Sequence, residues 1–173
     1  MKAGVRKACT RDIDEIVRIE SETSASPWSR DSISYDVETN ADAYVAVLIC
    51  GEEGCGEDSC PGGSLKETDA KARIAGYADM WMIAGEAQLN NIAVDEDLRG
   101  RGYGRRLLDH MSDESIRRGC SSMTLEVRQS NIAAISLYRG AGFTETGIRP
   151  RYYLDNNEDA VIMDKILLTD SDK

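Results

Sequence analysis

Asn91-Ile92-Ala93-Val94 closes a strand pattern, and Arg99-Gly100-Arg101-Gly102-Tyr103-Gly104 then runs straight into a helical pattern that continues through Arg118. The helix carries Leu107, Leu108, Met111 and Ile116 as candidate core positions, and Gly119 is placed to end it. A strand, a glycine-rich turn and a helix start set several backbone N–H groups at the positive end of a helix dipole, which suits a pyrophosphate. Glycine matters there because a β-carbon would hold a phosphate away from the amides. Geometry alone leaves a plain turn and cap open. No Lys-Ser or Lys-Thr follows the last glycine, so the run is not a Walker loop, and it lacks the Gly-x-Gly-x-x-Gly spacing of a dinucleotide site.

Upstream, strand signals cover Glu86 to Val94 and Arg73 to Met82, with a turn near Ala84-Gly85. A long Gly-, Ser- and acid-rich loop, about 51–71 with Pro61-Gly62-Gly63 at its middle, joins the second of these to a β-branched strand at Ala43–Cys50. Two short helices precede that strand. Thr10 is placed to cap the first, with Ile13, Ile16, Val17 and Ile19 at helical spacing, and Ser29 to cap the second, through Glu38. Downstream come a strand at Ser122–Arg128, a helix capped by Asn131, and two strands at Phe143–Leu154 and Asp159–Leu168. The order predicts an α/β (α+β) domain, a mixed sheet with helices packed on it.

The 173 residues make room for one domain, and 41% hydrophobic with 30% charged side chains is ordinary globular composition. A net charge of −10, from 21 basic and 31 acidic residues, disfavours a nucleic-acid clamp or an anionic-lipid surface. The single histidine, His110, excludes chemistry that needs two imidazoles and reads as structural or exposed. Five cysteines make no secreted-type framework. Cys50, Cys55 and Cys60 lack paired Cys-x-x-Cys spacing, so no metal is expected, and Cys9 and Cys120 read as small apolar residues. With neither a signal peptide nor a membrane span in sight, the expectation is a soluble, cytoplasmic protein.

The glycine run resembles the Gln/Arg-x-x-Gly-x-Gly/Ala signature of the GNAT family of N-acetyltransferases. The match extends to Asn91-Ile92-Ala93-Val94, Leu125-Glu126-Val127-Arg128, Ser130-Asn131, Leu137-Tyr138 and Gly142-Phe143. With Pro27-Trp28-Ser29, Arg149 and Tyr152-Tyr153, these residues look like the RimI branch, the ribosomal-protein-alanine N-acetyltransferases. The resemblance implies the GNAT fold, a central mixed, mostly antiparallel sheet of about six to seven strands flanked by about four helices. It spans a single domain, 1–173, with a variable hairpin-loop insertion at about 51–71.

The implied reaction moves an acetyl group from acetyl-CoA, with no metal, to the α-amine of a protein N-terminus, that of a small-subunit ribosomal protein beginning with alanine. The resemblance implies Glu126 as the base, directly or through water, and Tyr138 as the acid for the departing thiolate. It assigns Arg99, Gly100, Arg101, Gly102, Tyr103 and Gly104 to the pyrophosphate. The main chain of Ile92, Ala93 and Val94 goes to the pantetheine arm, and Asn131 can hydrogen-bond the cofactor. Trp28, Tyr152 and Tyr153 would wall the peptide groove.

From spacing alone, Glu126 reads first as a surface ion pair with Arg128, Tyr138 as a core aromatic, and Arg149 and Arg151 as a solvated strand face, while Asn131 reads equally as a cap only. A broader amino-terminal, lysine or polyamine acceptor keeps the same fold. A non-catalytic acyl-CoA sensor is a different class, which the presence of both Glu126 and Tyr138 argues against. The expected partner is a basic ribosomal protein N-terminus, without direct nucleic-acid or membrane contact, for a monomeric enzyme whose acidity attracts such acceptors.

Overall fold

The computed structural model describes residues 2–51 and 73–167. Most of the expected insertion, with Cys55, Cys60 and Pro61-Gly62-Gly63, and the tail from Leu168 lie outside the described residues. In chain order the elements are β1 (Lys2–Lys7), α1 (Ile13–Thr23), α2 (Arg30–Glu38), β2 (Ala43–Gly51), β3 (Arg73–Ile83) and β4 (Glu86–Val94). Then follow α3 (Tyr103–Arg117), β5 (Ser122–Arg128), α4 (Ile132–Gly140), β6 (Thr144–Tyr153) and β7 (Glu158–Ile166). Short 3-10 turns at Thr10–Asp12 and Glu96–Leu98 precede α1 and α3. The described strands form one seven-stranded sheet in the order β1-β2-β3-β4-β5-β7-β6. Every neighbouring pair is antiparallel except β4 with β5, whose parallel pairing needs the crossover that α3 provides. The mixed, mostly antiparallel α/β architecture read from the sequence is therefore present.

Two readings of the N-terminal region are corrected. A strand, β1, precedes the helices and runs antiparallel to β2 from Lys2↔Gly51 to Lys7↔Ala46. Its Lys and Arg residues hide it from an apolar-alternation reading, because an edge strand needs only one ladder and benefits from charge on its open side. Thr10 is not the cap of the first helix. Asp12 holds the N-cap position but makes no side-chain cap bond to α1; its carboxylate closes the preceding 3-10 turn, accepting from the Cys9 N–H at 2.9 Å, and accepts from the Arg6 guanidinium at 2.7 and 2.9 Å. Ser29 caps α2 as expected, accepting from the Ser32 N–H at 3.1 Å, and Asn131 caps α4, accepting from the Ala134 N–H at 3.1 Å.

β2 reads as a continuous apolar run because both its faces are covered. Tyr44, Ala46, Leu48 and Cys50 join the core under α3 and α4, with Leu107, Leu108 and Met111. Val45, Val47 and Ile49 face Ile13, Ile16, Ile19 and Ile33 of α1 and α2. Among the described residues no helix is long and apolar enough to cross a membrane. His110 meets the Tyr44 hydroxyl at 3.0 Å, a structural contact on α3.

One irregularity in β4 decides where the site forms. Asp79 of β3 pairs with Asn91 while the next residue, Met80, pairs with Leu89, so Asn90 is an extra residue in β4. Because side chains alternate with a period of two, the extra residue reverses which parity faces which layer. Ala87 and Leu89 face the α3 layer, but Ala93 belongs to the α1 and α2 layer, and Ile92 and Val94 now pack toward α3.

Candidate active site

Beyond that bulge the sheet splits. β4 and β5 are in register for only four pairs, from Glu86↔Ser122 to Leu89↔Leu125. Asn91 to Val94 continue on β3 alone, while Glu126 to Arg128 continue on β7 alone. The β5-facing edge of Asn91–Val94 is thus left without a strand partner in the middle of a sheet, where an extended chain can bond to it as a strand would.

A cleft of about 550 Å³ fills the split. Both layers line it: Glu20, Thr23 to Ser26 and Trp28 from the α1 side, and Asn131, Ala133 and Tyr138 from α4. Ile92, Ala93, Val94 and Arg99 form the β4 wall, and Glu126, Val127, Arg128 and Tyr153 the opposite one. Arg99 is the last lining residue before the glycine run, which leads on into α3. Gly100 and Gly102 have φ of +75° and +77°, a left-handed conformation that a side chain would strain, and Gly102 is the N-cap of the fifteen-residue α3. Those open amides, with Arg99 and Arg101 beside them, fit a pyrophosphate. Tyr103 is buried, and its side chain belongs to the core, leaving only its main chain for that purpose.

Asp95 fixes the approach to this loop. Its buried carboxylate accepts from the Asp97 N–H of the 3-10 turn and from Arg18 and Arg73 at 2.6 Å each. Burial alone would raise its pKa, but those arginine hydrogen bonds outweigh it and hold the group below the usual carboxylate range.

Glu126 is the first residue of β5 past its last pair with β4, so it stands where the split opens. It lies on the face opposite the buried Leu125 and Val127, as strand alternation requires. The surface ion pair with Arg128 does not form. Arg149 of β6 approaches one Glu126 oxygen at 3.3 Å, so Arg149 is no mere solvated strand face, and Gln88 Nε2 reaches the other oxygen at 3.4 Å. Arg128 instead bonds Asp155 and Glu158 and covers the Tyr153 ring, its guanidinium carbon 3.9 Å from the centroid.

Tyr138 is 6% exposed and packs on Phe143, ring centroids 5.9 Å apart. It is thus both the core aromatic that spacing suggests and part of the cleft lining. Burial, with a smaller contribution from Tyr153, pushes its phenol well above the ordinary value, so it stays protonated at neutral pH. Tyr153 is pushed up to about 12, chiefly by burial. Tyr152 does not join the lining: it is 43% exposed and meets Tyr153 edge-on at 5.2 Å. Arg151 is exposed at φ +53°, its N–H donating to Asp159.

Several cleft residues escaped the sequence reading. Glu20 is buried on α1, and Asn90 and Asn91 occupy the bulge. The two asparagines hydrogen-bond separate buried carboxylates, Asn90 to Asp79 at 3.1 Å and Asn91 to Glu20 at 3.0 Å. A signal for Glu20 did exist. It lies four residues after Ile16 and seven after Ile13, on the apolar stripe of its helix, where a carboxylate must be paid for by hydrogen bonds.

Comparison with known proteins gives a consistent picture. Residues 13–143 match the model of the Acetyltransferase (GNAT) family. A protein of Bacillus subtilis (strain 168), named a putative ribosomal protein bS18-alanine N-acetyltransferase, is 33% identical over 162 residues, covering 94% of each chain. The ribosomal protein bS18-alanine N-acetyltransferase of Escherichia coli (strain K12) is 35% identical over 156 residues, 89% of this chain and 90% of that one. The crystal structure of the ribosomal-protein-S18-alanine N-acetyltransferase from Escherichia coli superposes with a TM-score of 0.75 at 32% identity, covering 95% of this chain and 94% of the other. The split sheet and its glycine-led helix thus sit in a chain that belongs, by sequence and by structure, to the GNAT acetyltransferase family.

Proposed function

We propose that the protein transfers the acetyl group of acetyl-CoA to the α-amine of an N-terminal alanine, with ribosomal protein bS18 as its acceptor. The observation that carries this reading is the split itself, which brings a carboxylate from one face of the sheet and a phenol from the other to a single cleft. The relatives named for bS18-alanine support the choice of acceptor.

Acetyl-CoA supplies an acyl group activated as a thioester. Arg99, Arg101 and the amides of Gly100, Gly102 and Gly104 hold the pyrophosphate at the start of α3. The main chain of Ile92, Ala93 and Val94 binds the pantetheine arm along the free edge of β4, and a donor from this edge steadies the oxyanion. Asn131, though it caps α4, also faces the cleft and can bond the cofactor.

An α-ammonium group has a pKa near ~8 and must lose a proton before it attacks. Glu126 receives that proton, directly or through water, and the protonated Tyr138 hydroxyl gives one to the departing sulfur. Trp28 and Tyr153 flank the peptide's path, and Tyr152 supports Tyr153 from outside.

The test compares turnover on a peptide beginning with alanine against the same peptide blocked at its N-terminus and against lysine and polyamine acceptors. Acetylation confined to the free-alanine peptide is expected. Equal rates on free and blocked peptides would overturn the α-amine assignment.

A further inference from the structure

Glu20 is a carboxylate 1% exposed, on the cleft wall, with no role in the chemistry described above. One oxygen accepts the Trp28 N–H at 3.1 Å; the other accepts the Tyr77 hydroxyl at 2.7 Å and the Asn91 amide at 3.0 Å. Asn91 also donates to the Tyr77 hydroxyl, at 2.9 Å, which closes a three-membered network. All three donors are neutral. A buried carboxylate held without a cation is costly, and its retention calls for hydrogen bonds of good geometry, which these are.

What the network joins is informative. Trp28 lies in the segment between α1 and α2; the last residue of α1, Thr23, and Ser24 to Ser26 of that segment wall the cleft on the side opposite α4. Tyr77 lies on β3, paired with Ala93, and Asn91 is the first residue of β4 past the bulge. One carboxylate therefore ties the loop carrying Trp28 to the strand whose edge faces the cleft. The tie reaches β4 through the Asn91 side chain and contacts neither the glycine loop nor α4, while Ile92 to Val94 stay held by their pairing with β3, so its loss should be felt chiefly at the Trp28 segment.

We propose that Glu20 is a positioning residue for the acceptor: it sets the distance between the Trp28 segment and β4, and so governs capture of the peptide rather than of acetyl-CoA. The inference rests on the reading of this cleft as a site for an amino-terminal peptide. Its charge acts in the same direction, because Glu20 and Asn91 share the sheet face of Glu126 and an incoming ammonium group is attracted to that face.

The experiment is steady-state kinetics on the full chain, with an alanine peptide and acetyl-CoA varied in turn, for wild type, Glu20→Gln and Tyr77→Phe. Glu20→Gln keeps the size of the side chain but removes its charge and sets its amide against that of Asn91. It should raise peptide KM about tenfold, with acetyl-CoA KM and kcat within about twofold of wild type. Tyr77→Phe keeps the carboxylate and removes one donor; a smaller rise in peptide KM is expected, again with acetyl-CoA KM unmoved. It also serves if Glu20→Gln does not fold. Unchanged peptide KM in a folded variant, or equal rises in both KM values, overturns the inference alone. A wild type that leaves the peptide unacetylated overturns the acceptor reading and the inference with it.

Discussion

Glu126→Gln is expected to lower kcat on an alanine peptide by about a hundredfold, within the usual range for loss of a general base, while acetyl-CoA affinity stays within about twofold. Gln has the size of Glu and can still meet Gln88 and Arg149, so a loss of turnover would report the missing proton acceptor rather than a collapsed wall. The pH dependence separates the two further. An acceptor amine deprotonates by itself above its pKa of ~8, so the gap between wild type and variant should narrow as pH rises toward 9. Tyr138→Phe completes the test from the other face. Its hydroxyl makes no hydrogen bond to another described residue, so the variant should keep its stability, retain cofactor binding and still lose turnover. Unchanged kcat in either variant would remove that residue from the proton path.

Asp79→Asn is expected to stabilise the protein in mildly alkaline solution and not in acid. Asp79 is 3% exposed on β3, and burial together with the neighbouring Asp36 carboxylate pushes its pKa up to about 7, against the opposing hydrogen bond from Asn90. Asp36 is itself buried and accepts from Trp81 Nε1 at 3.1 Å and from Asn40 at 2.7 Å. A carboxyl raised above its unfolded value makes the folded state bind more protons. Its stabilisation is fully present below about pH 4 and is lost as pH rises through 7. Between pH 5 and pH 8 that amounts to about 2–3 kcal/mol. Asparagine holds the neutral form at every pH, so denaturant midpoints should show the variant more stable than wild type at pH 8 and no more stable at pH 5. A difference between the two proteins that is independent of pH would show that Asp79 is ionised throughout.

The sequence disclosed the strand-turn-helix at Val94 to Arg118, the caps at Ser29 and Asn131, and the placing of Glu126 on the face opposite Leu125 and Val127, because each depends on neighbours in the chain. β1 was not legible, since its six residues gain their partner from β2, more than thirty positions away. The bulge left a trace, two polar residues in succession at Asn90-Asn91, but a continuous strand from Glu86 to Val94 fits the same letters. Only pairing with β3 shows which residue is extra. Glu126 and Tyr138 were reached through motif resemblance; their approach from opposite faces depends on the split and cannot be read along one strand.

The extra residue in β4 has a consequence for how this chain tolerates change. Replacing Asn90 costs one hydrogen bond to Asp79, a modest penalty spread over a strand that keeps its place. Deleting it slides Asn91 to Val94 back by one position and exchanges their faces: Asn91 leaves Glu20, and Ile92 turns its side chain toward the layer that holds Tyr77. A library of point substitutions would therefore score position 90 as permissive. A library of single-codon deletions would score it among the least permissive in the chain, and the disagreement between the two maps would mark the place where this sheet changes phase.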